Sequence, residues 1–111
     1  MLVLFDQGTP VGIRDFLTKH TVKTAREQGW STLLNGDLLR EAENAGFEVL
    51  LTTDKNLVHQ QNLTQRKIAI VVLARTRWSL IQSVMARVMS AVDSAQPGSY
   101  TVVEIPEKQG N

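Results

Sequence analysis

The chain has 111 residues, a length that fits one domain with one hydrophobic core. Hydrophobic residues make up 42% and charged residues 21%, and the absence of cysteine excludes a disulfide framework or a thiolate metal site. The 12 Lys and Arg against 11 Asp and Glu give a net charge of +1, which argues against a protein that binds nucleic acid by non-specific phosphate contacts alone.

The first part of the chain predicts a strand, a helix and a second strand. Leu2–Phe5 is a continuous apolar run, typical of a strand that is buried on both faces. A helix is predicted from Thr9 to about Lys19, because threonine is a good N-cap and Pro10 is favoured at the first helical position. Residues 20–25 alternate in polarity and predict a half-exposed strand.

The next helix has strong signals at both ends. Asn35 is a good N-cap, Leu34 and Leu39 have the spacing of a hydrophobic staple, and Gly46 is typical of the residue that ends a helix. Residues 48–52 are apolar at their centre and predict a third strand.

The second half continues the alternation. Residues 55–67 form a polar connector, and residues 68–73 predict a fourth buried strand. An apolar stripe at helical spacing predicts one helix over residues 78–95. A final edge strand is predicted over residues 100–105, followed by a flexible tail at 106–111.

These elements predict an α/β fold: a three-layer domain with a mainly parallel central sheet of four to five strands, covering residues 1–105. Right-handed crossovers would place every strand-to-helix junction at one edge of the sheet. The chain meets an acid, Asp6, after five residues, and no apolar run approaches the ~20 residues of a membrane span. A cytoplasmic protein is therefore expected.

Acidic residues follow the strands at this predicted edge. Asp6 follows the first strand, Asp54 follows the third, Asp37 lies in the first turn of the intervening helix, and Glu41 lies one helical turn further on. Open parallel sheets bind ligands beyond the carboxyl ends of their strands. We expect the three aspartates to share one pocket and to bind Mg²⁺ or Mn²⁺. Such a bound ion can assist the hydrolysis of a phosphodiester by activating a water molecule.

Each acid also has a purely structural interpretation. Asp37 would favour the helix dipole, and Asp6 and Asp54 would stabilise turns through their side chains. Glu41 would be a solvated charge on the helix surface.

Three segments resemble the motifs of the short PIN-like bacterial proteins, which belong to the PIN nuclease superfamily with the VapC-type toxins. The segments are Leu4-Phe5-Asp6-Gln7, Asn35-Gly36-Asp37-Leu38-Leu39 and Leu51-Thr52-Thr53-Asp54-Lys55-Asn56-Leu57. The resemblance covers about residues 1–95. It implies a PIN fold, Mg²⁺ or Mn²⁺ as cofactor, single-stranded RNA as substrate, and metal-binding, catalytic roles for Asp6, Asp37 and Asp54. It also implies a toxin with an antitoxin protein as partner, and leaves a homodimer open.

The sequence departs from the family pattern at two positions. Gln7 and Asn56 stand where many relatives carry further acids. Their amide oxygens, with Glu41, can still serve as additional metal ligands or contacts, but two charges fewer should weaken metal affinity. Two functions therefore stay open: a metal-dependent endoribonuclease, and a non-catalytic PIN-like module that binds RNA or a protein.

Substrate contacts are predicted from basic and amide side chains in the loops after the strands. We expect Gln7, Lys55, Arg75 and Arg77 to contact substrate. Further candidates in or beside the polar loop are His59, Arg66 and Lys67, with Trp30 or Trp78 as a stacking surface. Exposed loops are also basic by chance, and Trp78 begins an apolar helical stripe, so a core role for it is equally open.

Overall fold

The computed structural model describes residues 1–57 and 66–107, and its elements follow the predicted alternation. The strands are β1 (Leu2–Phe5), β2 (Thr21–Thr24), β3 (Val49–Thr52), β4 (Ala69–Leu73) and β5 (Tyr100–Val103). The helices are a 3₁₀ helix (Val11–Phe16), α1 (Asn35–Asn44), α2 (Trp78–Ser83) and α3 (Met85–Asp93). Within the described residues, no helix has the length and hydropathy that crossing a bilayer requires.

The five strands form one parallel sheet in the order β2-β1-β3-β4-β5, which confirms the predicted α/β class. Leu4 is paired with Lys23 of β2 on one side and with Leu50 of β3 on the other. The chain leaves β1 toward one side of the sheet and returns to its other side, so the strand order reverses there. In open α/β sheets ligands bind at such a reversal, beyond the carboxyl ends of the strands.

Helices cover both faces of the sheet, as the continuous apolar strands predict. Val3 and Phe5 face the layer formed by the 3₁₀ helix, α2 and α3, while Leu4 faces the layer formed by α1. β3 and β4 are buried along their whole length. The sheet is therefore the middle of three layers, and its strand ends are fixed by packing from both sides.

The crossovers do not all have the same hand. The 3₁₀ helix joins β1 to β2, and α2 and α3 join β4 to β5, across the same face of the sheet. These two connections run toward opposite edges, so their hands are opposite. The expectation of right-handed crossovers throughout is therefore wrong, although all strand ends still lie at one edge because the strands are parallel.

The predicted helix at residues 9–19 is shorter than expected. The 3₁₀ helix begins after Pro10, whose side chain cannot cap it, and ends at Phe16. Thr9 is not the N-cap, because its buried hydroxyl contacts Asp6 and the Leu51 carbonyl instead. The predicted helix at 78–95 is divided at Val84, whose backbone leaves the helical region with φ −127° and ψ 30°.

Helix α1 begins one residue earlier than its capping signal predicts. Leu34 is the N-cap, its carbonyl accepts the Leu38 amide, and its side chain is 78% exposed, so it does not pack on the buried Leu39. At the other end Gly46 adopts φ +87°, as predicted for a residue that ends a helix. Asn35 therefore lies in the first turn, where its side chain donates to Asp54 in the neighbouring β3 loop.

The last described residues remain attached to the domain. Ile105 is buried in the core, and Glu107 accepts a hydrogen bond from Arg75 at 2.8 Å. The predicted flexible tail therefore contains at least one residue that contacts the folded part of the chain. Residues 108–111 lie outside the described part.

Candidate functional site at the carboxyl ends of β1 and β3

Asp6 is the half-buried residue that follows β1, and two threonine hydroxyls contact its carboxyl group. The Thr9 hydroxyl lies 2.7 Å from Oδ1, and the Thr52 hydroxyl donates to Oδ2. Both threonines are buried. Among the described residues no lysine, arginine or histidine pairs with this carboxyl group. Asp6 is thus an acid whose carboxyl group is oriented by hydrogen bonds and has no cationic partner in the described part of the chain.

The pKa of Asp6 is raised above its ordinary value of 3.8, chiefly because burial disfavours the charged form. Hydrogen bonds from Thr52, Thr9 and the Gly8 amide oppose this rise, and the negative charge of Asp54 adds to it. Folding therefore holds Asp6 where its negative charge is costly. A bound cation would remove that cost.

Asp54 follows β3 and lies within electrostatic range of Asp6. Its Oδ1 accepts the Asn56 amide at 2.9 Å, and its Oδ2 accepts the side-chain amide of Asn35 at 2.8 Å. The Thr52 hydroxyl accepts the Asp54 amide at 3.0 Å while donating to Asp6. One buried threonine thus connects the two acids.

The loops that carry these two acids approach each other closely at Gly8. A Cβ atom built there would lie 2.6 Å from the Thr53 hydroxyl oxygen and 3.9 Å from Asp6 Oδ1. A side chain at position 8 would therefore displace the Thr53 hydroxyl. Glycine favours this close approach and does not serve an unusual backbone conformation here.

Asp37 does not join the pair, so the expected pocket of three aspartates is not formed. Its exposed carboxylate is paired with Arg40 on the same helix. Residues two apart differ by about 200° around a helix, so Asp37 faces away when Asn35 faces Asp54. Glu41 is exposed on α1. Within residues 1–57 and 66–107, no group of three or more acids and histidines could hold a metal.

Asn35 is the site residue that the sequence interpretation missed. The sequence predicts a capping role for it, but Leu34 is the N-cap residue. The local sequence does not distinguish an asparagine at the N-cap from one in the first helical turn, since both precede the apolar periodicity. The only signal is the proximity of Asn35 to Asp54, and this proximity can be predicted only when the order of the strands is known.

The amides and basic residues predicted to contact substrate have different surroundings. Gln7 and Lys55 are exposed at this edge, and Asn56 contributes its backbone amide to Asp54. Arg75 is bonded to Glu107, whereas Arg77 is exposed just before α2.

Other predicted contacts lie elsewhere. Arg66 and Lys67 precede β4, at the opposite end of the strands, where the Arg66 guanidinium and the Lys67 backbone amide both donate to Glu43. They are therefore wrongly grouped with the site. His59 lies outside the described residues.

The two tryptophans have packing roles. Trp30 contacts Phe47 edge to face with ring centroids 5.8 Å apart. Trp78 packs so closely on Gly12 that a Cβ there would lie 2.7 Å from the indole ring. The core role left open for Trp78 is therefore the one it has.

Two cavities flank Asp6 and Gln7 on the β2 side of the site. One, of about 150 Å³, extends toward α1 and is lined by Trp30, Ser31 and Asn35 among others. The other, of about 260 Å³, extends toward the 3₁₀ helix and is lined by Thr9, Val11, Thr24 and Arg26. A cavity of about 450 Å³ lies between α3 and β5, away from Asp6. The two cavities beside Asp6 are the relevant ones here, because this half-buried acid lines both of them.

Comparison with known proteins gives no match to a family model, a curated protein or a solved structure. The resemblance to the short PIN-like proteins therefore stays a prediction from three sequence motifs.

Proposed function

We propose that the strand ends of β1 and β3 bind one Mg²⁺ or Mn²⁺ ion between Asp6 and Asp54 and that the protein hydrolyses single-stranded RNA there. The observation that carries the proposal is the state of Asp6, a half-buried acid beside a second acid, without a cationic partner among the described residues. The substrate class is what the PIN-like resemblance implies. A cytoplasmic location follows from that substrate.

The donor set fits a single hard cation. Mg²⁺ retains several waters and needs only one or two protein carboxylates together with substrate phosphate. Asp6 and Asp54 offer two carboxylates, and each is already oriented by hydrogen bonds that leave further lone pairs on its oxygens. Two ions would need more acidic residues than this edge of the sheet supplies. The amides Gln7 and Asn56, which stand where many relatives carry acids, also favour a single ion.

The surrounding residues have supporting roles. Thr9 and Thr52 hold the Asp6 carboxyl group, and Asn35 holds that of Asp54. Residues that hydrogen-bond to metal ligands in this way usually orient the ligands and affect metal affinity. When bound, the ion would lower the pKa of a coordinated water and stabilise the leaving oxygen of the phosphodiester.

Metal binding and RNA cleavage test the proposal together. Calorimetry with Mn²⁺ should give one site per chain, lost in Asp6→Asn and Asp54→Asn. Cleavage of a single-stranded RNA should require Mn²⁺ or Mg²⁺ and should fall by at least about a hundredfold in the same variants. Asp37→Asn is the matched control, because it also removes one carboxylate charge but from the exposed pair with Arg40. Metal binding that is lost in Asp37→Asn and kept in Asp6→Asn would contradict the proposed ligand set.

The second candidate function is a PIN-like module that binds RNA or a protein without hydrolysing it. The observation in its favour is that Asp37, the third acid of the expected centre, is paired with Arg40. This function predicts RNA or partner binding with no metal-dependent cleavage. The toxin role implied by the resemblance separates the two, because wild-type expression should arrest growth only if catalysis is retained, and Asp6→Asn should relieve the arrest.

A further inference from the structure

The cavity between the 3₁₀ helix and the end of β2 has an acid and a base in its walls that do not pair with each other. It has a volume of about 260 Å³ and is lined by Asp6, Gln7, Thr9, Val11, Thr24 and Arg26. Asp6 contacts two threonine hydroxyls, and none of its contacts is to Arg26. An ion pair between the two would have filled the cavity, so the open space separates opposite charges.

Arg26 keeps its charge available because the neighbouring acids have other partners. Glu27, the adjacent residue, is bonded to Arg14 and to the Thr24 amide, and these bonds lower the pKa of Glu27 below its ordinary value. The exposed Arg26 side chain makes no ion pair with the described residues. Its charge is therefore not neutralised locally.

Of the two arginines expected after β4, Arg75 is less available than Arg26. Arg75 follows β4 and is bonded to Glu107. A polyanion that reaches Asp6 would thus meet an unneutralised guanidinium on the β2 side, in the wall of the same cavity as Asp6. The exposed Val11, 65% accessible, forms an apolar rim to the same cavity, suited to a sugar or base edge.

We infer that this cavity is a binding site for a backbone phosphate of single-stranded RNA, with Arg26 as the residue that contacts it. The inference rests on the proposed function for its choice of ligand, because a metal between Asp6 and Asp54 would draw the neighbouring phosphodiester to the Asp6 wall. Arg26 then holds a phosphate group on the opposite wall. It is a positioning residue, and the RNA strand crosses the end of β1 from the β2 side.

The test measures RNA binding separately from hydrolysis. Fluorescence anisotropy with a short fluorescein-labelled single-stranded RNA of mixed sequence is recorded in EDTA over a series of NaCl concentrations. Arg26→Gln should weaken binding roughly threefold to tenfold and reduce the slope of log K against log salt by about 0.7, the value for one lost phosphate contact on a single strand. Arg26→Lys should restore most of the slope, since it restores the charge.

Arg87→Gln is the matched control. It removes the same charge from an exposed arginine that lines the distant cavity at β5 and donates to the Glu104 carbonyl. Its affinity and salt slope should equal those of the wild type. In the cleavage assay with Mn²⁺, Arg26→Gln should raise KM and leave kcat within about twofold. The lost contact would stabilise the bound substrate and the transition state equally.

The outcomes are distinguishable. Equal affinity and slope for Arg26→Gln and Arg87→Gln, or a wild-type protein that binds RNA neither in EDTA nor in Mn²⁺, would overturn the inference. Loss of affinity in Arg26→Gln with no cleavage by the wild type would support the phosphate site and contradict only the hydrolytic function. Cleavage by the wild type with an unchanged KM in Arg26→Gln would support the hydrolytic function and contradict the phosphate site.

Discussion

Replacing Asp6 by asparagine should make the protein more stable while removing metal binding. The reason lies in the Thr9 hydroxyl, which has one hydrogen and two oxygen neighbours, Asp6 Oδ1 at 2.7 Å and the Leu51 carbonyl at 2.8 Å. When Asp6 is ionised, both neighbours are acceptors, so only one contact can be a full hydrogen bond. Asparagine supplies the missing hydrogen from its amide, and its oxygen still accepts from Thr52.

The expected gain is one hydrogen bond, about 1 kcal/mol, together with the removal of a charge that burial disfavours, less the weaker bond that asparagine accepts from the Gly8 amide. We therefore expect Asp6→Asn to raise the free energy of unfolding by about 1–2 kcal/mol at neutral pH and Tm by several degrees. Urea unfolding measures this through the midpoint at constant m value. Loss of function with a gain in stability is common where a site holds groups in unfavourable surroundings.

The pH dependence of this gain has a definite sign. Because the pKa of Asp6 is raised in the folded state, its protonated form is favoured by folding, and that contribution is lost as the pH rises through the folded pKa. The asparagine variant has no such loss. The difference between variant and wild type should therefore be largest at neutral pH and should shrink as the pH falls toward 3.8, the ordinary value.

Asp54→Asn is the control, because both carboxylate oxygens of Asp54 accept from donors, the Asn56 amide and the Asn35 side chain. An asparagine there gains no hydrogen bond and loses the charge that strengthens them, so no stabilisation is expected. The reasoning would be refuted if Asp6→Asn were less stable than the wild type at neutral pH, or if both variants gained equally.

Three further changes test the fold around the site. Gly12→Ala should cost about 1–3 kcal/mol in urea unfolding, since its Cβ would lie 2.7 Å from the Trp78 ring, and only a shift of the indole can relieve the overlap. Glu43→Gln should cost about 1–2 kcal/mol at neutral pH. Burial raises the pKa of Glu43, but hydrogen bonds from Arg66 and two backbone amides outweigh this effect, so the pKa is below its ordinary value of 4.5. The cost of Glu43→Gln should therefore vanish as the pH falls below 4.5, and a cost that persists in acid would contradict the prediction. Gly98→Ala should lower Tm, because Gly98 has φ +75° and its Cβ would lie 2.9 Å from the Arg66 carbonyl oxygen; an unchanged Tm would exclude strain there.

The sheet and the pairing of its acids could be predicted because they depend on strong, local patterns. Continuous apolar runs identify the buried strands, and parallel strands place their carboxyl ends at one edge. Asp6 and Asp54 each follow such a run directly, so their proximity requires only that β1 and β3 be neighbours. The structure has that arrangement.

What could not be predicted depends on small rotations and on the face that a helix covers. A shift of one residue in the start of α1 turns Asn35 toward Asp54 and Asp37 toward Arg40. Capping preferences do not resolve a helix boundary to one residue. The division at Val84 and the hand of the last crossover also have no local signal, since both depend on packing across the whole face.

The position of β1 has a consequence for synthesis. It lies inside the sheet, yet both strands that flank it come later in the chain, with β3 more than forty residues downstream. On the ribosome the apolar segment Leu2–Phe5 must wait, unpaired on one side, until that later strand emerges. A chaperone that shields nascent chains should therefore raise the yield of this protein, and codon changes that slow elongation just before Val49 should lower it.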